Sequence, residues 1–284
     1  MLNLCVFVSQ NDDNNDDDIY ESDGSLPEDV MDPREKPMGF FDHLEELRWV
    51  ILKCIVVYVL FAVVIGVFLR QANSILLLPF NMAREQFPEL PENLRMIYVT
   101  DSFTAVIQLC FLGALVPAMP FFFFFASQFV APALTKKEKH MIIPVCLSSL
   151  VLFVVGSLFS FLLLVPSTLK ISALTGDILG ATAEWTIASY YGTLAWLTIG
   201  VGISFEFPLV IVLLVYLGIL RVETLRKYRR HAIVGIFIMA AIITPTPDPF
   251  TQTIFALPLY VLFETAIFIG GRMQKKRDEA AQAQ

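Results

Sequence analysis

Charge is scarce in this chain. Asp, Glu, Lys and Arg make up 17% of its 284 residues against 56% hydrophobic residues, and the mean hydropathy is +0.66. That balance excludes a soluble domain of ordinary composition. The four cysteines, Cys5, Cys54, Cys110 and Cys146, form no CxxC pair, which excludes a disulfide or thiolate-metal framework. Three of them lie inside apolar runs and read as small buried hydrophobes. The three histidines are scattered, and HExxH, GxSxG and a phosphate-binding glycine motif are all missing. No enzyme, metal, cofactor or nucleic-acid partner is therefore expected. Ser167 and Lys170 have the spacing of a Ser/Lys dyad, but loop polarity after Pro166 explains them better.

Long apolar runs are abundant. Several exceed about 18 residues with few charges, so the chain reads as an all-α, polytopic membrane protein. Six spans are expected, at 49–69, 103–130, 142–165, 187–217, 231–244 and 252–271. Lys and Arg set the sidedness. With the N-terminus in the cytoplasm, sixteen of the 20 basic residues fall on inside segments and only Arg70, Arg84, Arg95 and Lys170 fall outside. Both termini are expected to be cytoplasmic. Trp185, Tyr190, Tyr191 and Trp196 then suit a headgroup belt at the outer start of the fourth span.

The net charge of −7 comes from one end. Residues 1–37 hold eleven acids against Arg34 and Lys36, whereas the rest of the chain holds 16 acids and 18 bases. Such a polar, self-repelling segment is expected to be a disordered cytoplasmic tail. "MLNLCVFV" has neither the basic start nor the cleavage site of a secretory signal, and Met31 and Met38 are alternative starts. The membrane domain is placed at 38–272 and a C-terminal tail at 273–284.

Two span lengths are anomalous. The fourth is long enough to tilt or project outward, while "HAIVGIFIMAAIIT" supplies only about 21 Å of helix, which calls for local bilayer thinning. A curved, concave bundle with short fifth and sixth helices is expected, because Pro117, Pro120, Pro144, Pro208 and Pro258 bend their helices.

The remaining polar groups are few and placed. "DHLEELR" (42–48) puts Glu45 and Glu46 at the inner membrane surface. In the first inside loop, Glu138 stands among Lys136, Lys137 and Lys139, where a carboxylate can accept a guanidinium in bidentate geometry. Glu206 and Glu264 lie within spans. Intramembrane acids are costly and face a bundle interior or a wet cavity, so Glu206 is expected on a hollow or held as the neutral acid. In "TPTPDPFTQ" (244–252), Asp248 suits the cap of the sixth helix.

The motifs "HLEELR", "FVAPALTKKEK", "SFEFPLVIVLL", "LRKYRRHAIVGIF" and "TPTPDPFTQT", in this order, resemble the TatC family, the multispanning subunit of the twin-arginine protein translocase. The resemblance implies a receptor in the cytoplasmic membrane that exports folded proteins, driven by the proton gradient. It implies arginine recognition by Glu46 and Glu138, with Phe129, Leu134, Lys136 and Arg48 beside them. Glu206 would line the concave face. Thr244, Gln252, Asp248 and Glu264 would dock or gate single-span partners of the TatA and TatB types. Thr186 departs from the family pattern, where an acid is common, and Glu184 stands two residues earlier; no role is carried over. A proton-coupled secondary transporter would also keep intramembrane carboxylates, but the chain lacks convincing internal symmetry.

Overall fold

The computed structural model describes residues 40–87, 90–130, 141–181, 184–245 and 248–282. Among these the backbone is helical apart from turns and one isolated parallel bridge between Arg95 and Thr186. Helix α1 is Phe40–Val67, followed by the short α2 (Leu69–Leu76) and α3 (Leu78–Gln86). Next come α4 (Asp101–Val130), α5 (Ile142–Phe159), a π turn at Ser160–Leu164, and α6 (Val165–Ile178). The last four are α7 (Ile187–Tyr216), α8 (Val222–Lys227), α9 (Arg229–Ile243) and α10 (Pro249–Gln282).

Five of the described helical segments are long and apolar enough to cross a membrane: 43–67, 101–129, 142–178, 187–216 and 249–275. The segment expected as the fifth span is the helix α9, which is not among the five: its 15 residues give about 22 Å at 1.5 Å per residue. Three boundaries differ from expectation. Helix α1 takes in the whole "DHLEELR" stretch, whose leucines and glutamates are good helix formers with acids near the positive end. The third span runs on past Pro166 to Ile178 because the π turn precedes the proline, whose ring and missing N–H would otherwise break the ladder. The sixth helix, expected to be short, is 34 residues long; nothing in "RMQKKRDEAAQ" stops a helix.

Helix α7 is the axis of the fold, packing on α4, α5, α6, α9 and α10. Its Leu194, Leu197, Val201 and Val215 are fully buried. Against α5 it interlocks ring to glycine in both directions. A Cβ at Gly202 would lie 2.7 Å from the Phe153 ring, and one at Gly156 2.7 Å from Phe205. In lipid, where apolar side chains gain little by leaving the solvent, such close approach is what joins helices. Helix α1 illustrates the converse: it packs chiefly on α4, and Ile55, Val59, Leu60 and Val63 are more than half exposed.

One end of the bundle carries the start of α1, the end of α4, α8 and the end of α10; it is called the basic end below. The other, the capped end, is closed by α2 and α3. There Tyr190 donates to the Leu76 carbonyl at 2.7 Å and Tyr191 donates to Asn73 Oδ1. Both tyrosines are at most 2% exposed. The belt position expected for them is corrected: they are core residues that pin the cap to α7. Trp196 keeps an exposed face but donates its ring N–H to the Ile243 carbonyl at 2.9 Å.

Candidate functional site

At the basic end, the first turns of α1 meet the last turn of α4. The His43 ring stacks on Phe129 with centroids 4.2 Å apart and planes 13° from parallel. The helix then turns Glu45 outward and Glu46 inward: Glu45 is exposed and Glu46 half-buried. The Glu46 Oε2 is buried and accepts no hydrogen bond among the described residues, His43 Nδ1 being 3.9 Å away. A carboxylate oxygen removed from water without a donor is costly, so this atom has unmet acceptor capacity. Arg48 is exposed two residues further on. Leu134, Lys136 and Glu138 lie outside the described residues.

Ten residues back from the end of α7, Glu206 faces α5. Ser149 donates to Glu206 Oε2 at 2.5 Å, while Oε1 is buried and accepts nothing. Among the described residues no cation pairs with it. Ser149 also lines a cavity of about 170 Å³ walled by Phe123, Val145, Cys146 and Leu213. Sequence reasoning missed Ser149; the only signal was a Ser-Ser step in the apolar run "VCLSSLVLF".

The expected acids on α10 are engaged. Glu264 pairs with Arg229 at 2.9 Å and accepts from Tyr260 at 3.3 Å. It is thus no lone intramembrane charge but a tie between the start of α9 and α10. Asp248 accepts the Thr251 backbone N–H at 2.6 Å, the N-cap of α10 that its position predicted. Thr244 is buried and donates to Ala240 O at 2.8 Å, and Gln252 reaches across to the Phe237 carbonyl at 2.9 Å. The α9–α10 pair is thereby fastened at both ends.

Four further positions gain explanations. Thr186 is the N-cap of α7, accepting the Ser189 N–H at 3.1 Å, and Glu184 pairs with Arg95 at 2.9 Å. The Ser167 hydroxyl donates to Leu163 O, and the Lys170 ammonium sits 4.2 Å from the Phe87 ring centroid. Each has its own partner, and no dyad is needed to explain either. At the basic end, Gln274 of α10 accepts from Val222 N at 2.9 Å and donates to Glu223 at 3.2 Å, docking α8. The Glu223 carboxyl is held below its usual range by its own backbone N–H, then by Gln274, with Arg221 and Arg226 adding to this.

Residues 42–258 match the family model described as Sec-independent protein translocase protein (TatC). The Sec-independent protein translocase protein TatC of Escherichia coli strain K12 is 33% identical over 236 residues, covering 82% of this chain and 88% of that protein. A crystal structure of the twin arginine translocase receptor TatC in DDM superposes with a TM-score of 0.67 at 30% identity, covering 80% of this chain and 99% of that one. A second crystal structure of the twin arginine translocase receptor TatC gives 0.66 at 29% identity, covering 81% and 99%.

Proposed function

Because the chain belongs to the TatC family of Sec-independent protein translocase subunits, we propose that it receives signal peptides bearing paired arginines and hands their folded passengers across the membrane. The observation that carries this reading is Glu46: a half-buried carboxylate with an oxygen that accepts no hydrogen bond, on a turn held by the His43–Phe129 stack. Guanidinium is the cation that fits such a site, since its planar fork delivers two N–H groups to one carboxylate. Glu46 and Glu138 take the two arginines. Phe129 and Leu134 give the flanking apolar surface, while Lys136 and Arg48 keep the carboxylates ionised and turn away other cations. The apolar part of the signal runs past Glu206.

Along α9 and α10, Gln252, Asp248 and Glu264 form the edge on which single-span partners of the TatA and TatB types dock, and Thr244 holds the end of α9 beneath them. The sixteen-to-four distribution of Lys and Arg orients the chain in the cytoplasmic membrane, with the basic end and both termini in the cytoplasm. Transport draws on the proton gradient.

The test is binding of a labelled twin-arginine peptide to the purified chain. A hydrogen-bonded charged pair contributes about 1.5–3 kcal/mol. Glu46→Gln is therefore expected to weaken binding about 10- to 150-fold, and Glu45→Gln, which alters the exposed neighbour, by less than about twofold. Equal effects of the two variants would remove Glu46 from the site.

A further inference from the structure

We infer that a second cavity, between α1, α2, α4, α5 and α7, is a phospholipid site in which Ser157 and Thr198 donate hydrogen bonds to an acyl ester carbonyl. The cavity holds about 300 Å³, the lower end of the range for small-molecule sites. Its mouth is formed by Ile75, Val116 and Leu158, all exposed apolar residues, and its floor by Leu76, Leu112 and the two hydroxyl residues. Ser157 and Thr198 are each 4% exposed, and neither hydroxyl has a partner among the described residues.

Ser160, Thr168 and Thr251 are also buried without a partner among the described residues, but Ser157 and Thr198 are the two of these five that line this cavity. A hydroxyl on a helix in lipid ordinarily donates to the carbonyl one turn back. Ser167, Thr175, Ser204 and Thr244 all do so here, at 2.7–2.8 Å. Ser157 and Thr198 leave that default and line the same hollow. A buried hydroxyl without an acceptor is destabilising, so the site is built for a guest that brings an acceptor on an apolar body.

Depth selects the guest. Counting from the basic end, Ser157 lies 15 residues along from the start of α5 and Thr198 lies 18 residues back from the end of α7. These are about 22 and 27 Å of helix. Both place the hydroxyls in the half of a hydrocarbon core about 30 Å thick that lies toward the capped end, the leaflet whose glycerol ester carbonyls are nearer. The amphipathic α2 lies over the cavity, with Ala72 and Leu76 turned inward and Arg70 exposed at headgroup level. A diacyl lipid entering between Ile75 and Leu158 can lay one chain in the hollow and its carbonyl against the two donors.

The experiment compares two synthetic phosphatidylglycerols of identical chains, one ester-linked and one ether-linked, added to the delipidated full chain. Retention is read by intact-complex mass spectrometry and by the shift in melting temperature. The ester lipid is expected to bind about tenfold more tightly, the difference two hydrogen bonds supply. Thr198→Val with Ser157→Ala should abolish the preference while leaving ether-lipid binding unchanged. Should the double variant not fold, each single variant is expected to lose part of the preference, and the wild-type comparison stands without either. Equal retention of ester and ether lipids would overturn the proposal and assign the hydroxyls to water; so would a preference that survives the double variant.

Discussion

Adding one methyl group at Gly156 drives it into the root of a neighbouring ring. The new Cβ would lie 2.7 Å from Phe205 Cγ and 2.9 Å from Phe205 Cβ, atoms that cannot swing aside without moving α7. At Gly202 the same change meets the edge of the Phe153 ring at 2.7 Å and Ser157 Oγ at 2.9 Å, groups that can tilt or rotate. Overpacking of a fitted interior costs about 1–3 kcal/mol. Gly156→Ala is therefore expected near the top of that range and Gly202→Ala near the bottom. Gly235 on α9 is the internal control: a Cβ there meets nothing within 4 Å, so Gly235→Ala should stabilise by up to about 1 kcal/mol through helix propensity. Thermal or dodecyl-sulfate unfolding of the three purified variants gives the ranking. A double-mutant cycle with Phe205→Ala, which removes the Cγ that the new methyl meets first, should recover part of the Gly156→Ala loss, since the two sites touch. An unfolding order with Gly235→Ala as the most harmful, or a cycle with no coupling, would refute the interlock.

Other outcomes follow from the same geometry. Arg229→Gln and Glu264→Gln should each cost about 1 kcal/mol or less, because the pair is partly exposed, and the double variant should cost no more than either single one in the same unfolding assay. The depressed Glu223 carboxyl adds to the docking of α8 on α10 a contribution that is full above its ordinary value of about 4.5 and progressively lost as the pH falls below it, while the Val222–Gln274 bond persists. A spin-label distance between α8 and the end of α10, followed from neutral to acid pH, reads this, and Glu223→Gln should flatten the profile. Cysteine scanning with a water-soluble maleimide should find a protected stretch along α9 several residues shorter than the ~20 that a full span requires, since the bilayer must thin to meet a 15-residue helix.

What the sequence made legible was whatever depends on composition along a line. Long apolar runs located α1, α4, α5, α7 and α10, and the missing length of α9 was visible because fourteen apolar residues cannot be mistaken for twenty. The proline-rich loop also declared Asp248 as a cap, since Asp before a helix has few other uses. Contacts between distant segments were not legible. Tyr190 and Tyr191 look like interfacial aromatics in one dimension, and only the fold of α2 and α3 over the capped end makes them core. Those two helices were themselves hidden, being short, interrupted by Pro79 and too polar to register as spans. Glu264 read as a buried charge until the turn between α9 and α10 brought Arg229, 35 residues away, to its side. Pro166 read as a stop because a π turn leaves no mark in composition. At the candidate site the residue types were evident, but which of two adjacent glutamates turns inward is a matter of helix phase against α4, set by the His43–Phe129 stack.

We propose that the inward carboxylate at the start of α1 takes one guanidinium of the signal peptide's arginine pair and Glu138 the other. Titrating the isolated chain with peptides that differ only in carrying Arg-Arg or Lys-Lys tests it most directly, because lysine keeps the charge and loses the bidentate fork. The account predicts binding at least about tenfold weaker for the lysine peptide, with the difference much reduced in Glu46→Gln. Identical affinities for the two peptides in the unaltered chain would contradict it.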